Sequence, residues 1–317
     1  MYPFILTALA LYLFCNSALA QSLNQVKPKP IPNVSSGQIK RLSDFQSKWV
    51  SNRDIDVWLP NHYSNSNKKF AVLYMHDGQM LFDKNITWNN QEWGVDETAT
   101  KLMQSGETRD FIVIGIHNAG KYRHDEYFPE KPFYQLDESI QNQLYQTYRK
   151  DGRKLFADKV KSDNYLKFIT MELKPYIDQH FNVYNDLENT FIMGSSMGGL
   201  VSLYAISEYP NVFKAAACMS THWPGNHQKD NNPIPDTFFN YMQQNLPSPI
   251  SHRLYFDYGT ETLDAMYPRL QLKADKVIKG KGYNHKNWQT RVFIGAAHTE
   301  QDWQARLAIP LKFIFAQ

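Results

Sequence analysis

The stretch "TFIMGSSMGGLVSLYA", residues 190–205, constrains the fold more than any other part of the chain. Strand-forming residues run directly into Gly194-Ser195-Ser196-Met197-Gly198-Gly199, and a helix-like pattern follows with no polar break. A strand that becomes a helix within so few residues needs small neighbours, because the backbone must turn sharply and pass close to itself. The segment fits G-x-S-x-G, with Ser196 in the nucleophile slot and Ser195 in the variable one. The pattern is short, so its surroundings decide whether it marks tight packing or a hydroxyl raised for chemistry.

Those surroundings alternate strand and helix. Strand-like segments are expected at 53–60, 69–76, 110–118, 189–193, 212–220, 253–259 and 288–295. Helical spacing is expected at 93–103, 152–181, 200–209, 263–279 and 300–315. The alternation predicts an α/β fold: one domain with a mostly parallel central sheet and helices on both faces. Two polar, aromatic stretches, 119–151 and the Pro-rich 221–250, interrupt the rhythm. Both follow predicted strands at their C-terminal ends, where open α/β sheets bind ligands, and they are expected to roof a pocket.

The N-terminus reads differently. Residues 1–20 carry no charged side chain, hold an apolar run from Phe4 to Phe14, and end in "SALA". That resembles a secretory signal peptide cut before Gln21, too short for a comfortable membrane span. A flexible leader is expected over 21–45, and the folded domain over 46–317. Export to the periplasm or the extracellular medium follows, with no stable membrane anchor after cleavage. Cleavage leaves Cys218 as the mature chain's single cysteine, a small buried hydrophobe in an apolar strand. Lys and Arg total 34 against 31 acidic residues, with no concentrated basic stripe, which argues against nucleic-acid binding.

If Ser196 is a nucleophile it needs a base, since a free hydroxyl is too weak an acid at neutral pH. His298 lies after the last strand in "VFIGAAHTEQDW", the expected place for that base. The third member should follow the strand "RLYFDYG", where "GTETLDAMYP" offers Glu261 and Asp264. Asp264 is favoured as the shorter and more easily fixed side chain; Glu261 has the reach. Oxyanion donors are expected from the N–H of Met197 and the N–H of Gln79, with Gly78 letting the loop pass close over the site. Asn118, Arg123 and Trp223 are candidate substrate contacts near the mouth, with an Arg123–Glu126 ion pair as the plainer role for Arg123. Trp93 and Asp96 are expected to position a helix over the sheet. Such chemistry needs no metal or cofactor. A metal hydrolase using His117, His124 and Asp125 is a weaker reading, for lack of close ligand spacing. A non-catalytic binding protein on the same fold is the alternative to an enzyme.

Six ordered blocks carry a resemblance: "LYMHDGQMLFD", "EWGVDETATKL", "IVIGIHN" with "RHDEYFP", "GSSMGGLVSLYA", "YFDYGTETLD" and "GAAHTEQDW". Together they resemble the putative esterase family, the esterase D and enterochelin-esterase-like branch of the α/β-hydrolases. The resemblance implies serine hydrolysis of carboxylic esters, with Ser196 and His298 matching the nucleophile and base blocks and the acid matching less sharply. It implies an ester substrate among siderophore lactones, feruloyl or acetyl sugar esters, thioesters and small acyl esters.

Overall fold

Strand-forming runs with no polar alternation must be covered on both faces, and the observed core obeys that rule. In the computed structural model, which describes residues 29–64 and 66–316, eight strands form one sheet. They are β1 (Gln38–Phe45), β2 (Arg53–Leu59), β3 (Ala71–His76), β4 (Phe111–Ile116), β5 (Thr190–Ser195), β6 (Ala215–Met219), β7 (Arg253–Gly259) and β8 (Trp288–Phe293). Their order across the sheet is β1-β2-β4-β3-β5-β6-β7-β8. The pairs β1/β2 and β2/β4 are antiparallel, and every pair from β4 to β8 is parallel. The predicted signal peptide, 1–20, lies outside the described residues. Residues 29–31 fall in a separate unit and carry no helix or strand; the rest belongs to the unit Pro32–Gln317.

Side chains alternate between two cores, as a period of two requires. Val72, Tyr74, Ile192 and Cys218 enter one, with helices Ser162–Lys167, Met197–Glu208, Ile234–Asn245 and Pro268–Gly280. Leu73, Met75, Phe191 and Met193 enter the other, with helices Val95–Gln104, Glu300–Arg306 and Ala308–Phe315. Helix Met197–Glu208 is buried almost all round, because it packs against β5 and β6. That is why its sequence lacks a polar face.

Two expected element boundaries need correction. The leader expected over 21–45 gives way to structure before its end: Gln38–Phe45 is the edge strand β1, in register with β2 from Gln38↔Leu59. The segment before it is pinned as well. Buried Asp96 accepts from the Ser35 N–H, the Ser35 hydroxyl and the Ser36 N–H, and Trp58 Nε1 donates to the Ser36 carbonyl. The helix expected over 152–181 begins only at Ser162 and runs to His180 through a π-helical turn, Phe168–Leu173. Residues before it cannot join, because the Asp125 carboxylate takes the Ala157 and Asp158 N–H groups.

The expected Arg123–Glu126 pair is also replaced. Glu126 accepts two bonds of 2.8 Å from Arg53, both groups buried, while that guanidinium stacks over Tyr165 and Phe168. Removing one partner strands a charge without water. Glu126→Ala is therefore expected to cost about 3–5 kcal/mol in urea unfolding, whereas the apolar double variant R53M/E126L recovers most of it. A loss no larger than that of a surface carboxylate would refute this account.

Candidate active site

The chain leaves β5 through Ser196, whose φ of 58° and ψ of −123° lie outside the ordinary L-residue regions. Such a backbone persists only where its neighbours hold it. The Ser196 N–H donates to the Met219 carbonyl at 2.9 Å, and its own carbonyl accepts from the Leu200 and His222 N–H groups. Glycine is required at 194: a Cβ there would stand 2.8 Å from the Gly198 carbonyl carbon. The turn therefore lifts a half-buried serine at the sheet's C-terminal edge, with helix Met197–Glu208 starting at the next residue.

The loops after β7 and β8 are fastened together. The Ala296 carbonyl accepts from the Thr260 and Glu261 N–H groups, and a Cβ on Gly259 would meet that same oxygen at 2.1 Å. Thr262 Oγ1 accepts from the His298 N–H at 2.9 Å. Thr299 caps helix Glu300–Arg306 through its side chain, and Asp302 accepts from the Ala297 N–H. His298 is thus held by backbone on both sides. Its Nδ1 lies 2.5 Å from Asp264 Oδ1, and Trp303 packs against the ring edge-on at 5.0 Å. Glu261 is exposed, with its carboxylate on the Thr260 hydroxyl. The acid beside His298 is Asp264.

Asp264 is buried, and burial by itself raises a carboxyl pKa. Hydrogen bonds from His298, the Ser220 hydroxyl (2.6 Å) and the Gly259 N–H (2.6 Å) outweigh that, and the net shift is below the usual value. Ser220 in turn accepts from Trp303 Nε1 at 3.0 Å and from Arg306 at 2.9 Å; the same guanidinium meets Asp257 at 3.1 Å. Ser220, Arg306 and Asp257 were not singled out as site residues from the sequence, because nothing in it pairs positions this far apart.

Across the rim stands the loop after β3. Asp77 has a φ of 57° and starts the short 3-10 turn Gly78–Met80, in which Gln79 sits half-buried. Arg123 makes a two-pronged contact with the Asp77 carboxylate at 2.6 and 2.7 Å, and Asn118 donates to it at 2.7 Å. Gln79 Oε1 accepts from the Asn118 N–H. Arg123 and Asn118, candidate substrate contacts in the sequence, thus both bond this loop, Arg123 through Nε and Nη2. Gly78 is likewise a packing residue: a Cβ there would meet Gly115 backbone at 2.4 Å. Trp223, expected as a pocket wall, is fully buried, with its Nε1 on Gln271 and its ring stacked 5.9 Å from Phe256. Trp93 packs on Trp303 at 5.3 Å.

The residues of the metal reading face different partners. His117 bonds Asp56 at 2.8 Å, His124 meets the Gly225 carbonyl, and Asp125 holds the two amides named above. Among the described residues no three or more His, Cys, Asp or Glu are gathered to hold a metal.

A strand-to-helix elbow after β5, an acid after β7 and a histidine after β8 on this sheet define an α/β-hydrolase fold. Solved structures share it: a ferulic acid esterase (18% identity, TM-score 0.60, covering 88% of this chain and 98% of that one) and an IroE-like serine hydrolase from Shewanella oneidensis (18%, 0.61, 88% and 79%). The enterobactin esterase FES from Shigella flexneri is similar too (14%, 0.61, 89% and 60%). A family model described as "Putative esterase" matches residues 48–314, and the chain belongs to that family. Among curated proteins it is similar to uncharacterized protein YbbA of Bacillus subtilis, 27% identical over 175 residues, or 55% of this chain. The match spans 59% of that relative's length.

The Asp264 shift carries a sign. A carboxyl with a lower pKa folded than unfolded adds stability above the unfolded value, about 3.9, and loses it as pH falls through the folded one. The stability advantage of the protein over its Asp264→Asn variant is therefore expected to be full near pH 6 and to shrink below about pH 4. An advantage that stays flat in unfolding measurements down to pH 2 would contradict it.

Proposed function

We propose that the protein is an exported serine hydrolase of carboxylic esters, working through Ser196, His298 and Asp264. Ser196 Oγ attacks the ester carbonyl carbon while its proton passes to His298 Nε2, and Asp264 stabilises the resulting imidazolium without taking the proton. The oxyanion takes hydrogen bonds from the Met197 and Gln79 N–H groups. Collapse of the tetrahedral adduct breaks the C–O bond, and His298 returns the proton to the departing alcohol. Water then attacks the acyl-serine by the same route, releasing the acid and restoring the hydroxyl. The observation that carries this reading is the short Asp264–His298 contact, which occupies Nδ1 and leaves Nε2 as the ring's working nitrogen.

Family membership supports ester hydrolysis, and the names of the structural neighbours support substrates in which the acid is aromatic or the ester is a siderophore lactone. Sugar-linked acyl esters and small acyl esters complete the class to be assayed. The signal-like residues 1–20 support export, and N-terminal sequencing of secreted protein is expected to begin at Gln21.

A hydrolysis panel of p-nitrophenyl, feruloyl, acetyl-sugar, catechol-lactone and thioester substrates tests the activity. S196A and H298A are each expected to lower kcat by about 10⁴-fold or more, D264A by about 10³-fold or more, and E261A by less than about twofold. Fluorophosphonate should label the folded protein at Ser196. Hydrolysis that survives S196A, or protein that is never labelled, would overturn the proposal and leave a binding role for the fold.

A further inference from the structure

Ser220 follows β6 directly and has a φ of 41°, in the left-handed region where a residue with a side chain is strained and glycine is not. Its N–H donates to the Asp257 carbonyl at 2.8 Å, which holds that angle. The side chain is fully buried and has no part in the mechanism above. A strained residue persists only where its surroundings hold it, and here the surroundings also use its hydroxyl.

Three side chains meet Ser220 Oγ, and their chemistry fixes the direction of every bond. Trp303 and Arg306 lie three residues apart on helix Glu300–Arg306, so both reach the same spot from one face. Trp303 Nε1 at 3.0 Å and Arg306 Nη2 at 2.9 Å can only donate. The hydroxyl must accept from both, and its single proton is left for the third partner, Asp264 Oδ2, at 2.6 Å. That oxygen also accepts from the Gly259 N–H at 2.6 Å, while Oδ1 is the one that faces His298 Nδ1. Both donors are buried and held in turn: Arg306 Nη2 also donates to Asp257 at 3.1 Å, and the Trp303 ring packs on Trp93 at 5.3 Å and edge-on against His298 at 5.0 Å. Trp303 therefore touches the base with its ring and steadies, through Ser220, the acid behind that base.

We propose that Ser220, oriented by Trp303 and Arg306, is a positioning residue for Asp264. Resting on the hydrolase reading above, it acts on the reaction only through the acid. Its bond to Oδ2 pins the plane of the carboxylate, so that Oδ1 stays turned to the imidazole while charge builds there during turnover. The same charge-assisted bond helps keep the buried carboxyl ionised.

Fluorophosphonate labelling separates positioning from folding, because its amplitude counts folded sites and its rate reports how well the nucleophile is activated. Ser220→Gly removes the hydroxyl at a backbone angle that glycine adopts freely, and Ser220→Ala removes it but keeps the Cβ. Both are expected to retain the labelling amplitude, to slow labelling and kcat by about tenfold or more, and to leave KM within about twofold. In Ser220→Gly the far-downfield NMR resonance of the His298 Nδ1–H is expected to move upfield or broaden, because the carboxylate facing it is no longer pinned. Added to Asp264→Asn, Ser220→Gly is expected to lower kcat by less than about twofold further, since the group it acts through is already gone. A wild-type labelling rate in Ser220→Gly, an unmoved resonance, an equally large loss in the Asp264→Asn background, or a loss confined to labelling amplitude would each overturn the proposal and leave Ser220 a folding residue. Failure of the wild-type protein to label would instead remove the hydrolase reading, and this inference with it.

Discussion

The architecture of the site depends on keeping one carboxylate, Asp264, ionised inside the protein. A buried anion without partners would protonate. Here three donors meet it, from the loop after β8, the residue after β6 and the end of β7. Each donor comes from a different segment, so the charge can exist only when three neighbouring strands are in register. The parallel pairing of β6, β7 and β8 is thus a requirement of the site as well as of the core.

Arg306 shows how that charge is balanced without being quenched. A guanidinium set directly on Asp264 would claim both carboxylate oxygens and compete with His298 for them. Instead Arg306 pairs with Asp257 and reaches the site only through the Ser220 hydroxyl, which passes its own proton toward Asp264. The positive charge polarises the serine, and the serine strengthens the acceptor behind the histidine. Asp257 needs the same cation, since burial raises its pKa and Arg306 opposes the rise. One arginine therefore steadies two buried acids at different distances from the chemistry.

Much of this was legible in the sequence, and the rest was hidden for identifiable reasons. Strands without polar alternation announced a sheet covered on both faces. Gly194 announced an elbow, because a Cβ there would collide with the Gly198 backbone. His298 followed from chain order, which left Glu261 and Asp264 both open for the acid. The side-chain roles at the rim did not. Arg123 was read with Glu126 because the two are neighbours in sequence, but the short helix Arg123–Tyr127 turns them toward different partners, Asp77 and Arg53. Trp223 suits a pocket wall in the sequence as a large apolar ring with a polar edge, yet its loop folds it onto Phe239 and Phe256 and gives the polar edge to Gln271. The leader was read as mobile through residue 45 because β1 is an edge strand, whose exposed residues carry little apolar signal.

The pairing of Arg123 with Asp77 bears on the loop across the rim. Burial alone would push Asp77 up, but Arg123 and Asn118 hold it below the usual carboxylate range, so the contact is between full charges. Gly198 stands against this loop: a Cβ there would lie 3.4 Å from His76 and 3.6 Å from the Asp77 carboxylate. The ion pair therefore braces the β3 loop beside the first turn of helix Met197–Glu208, next to the proposed nucleophile and oxyanion donors.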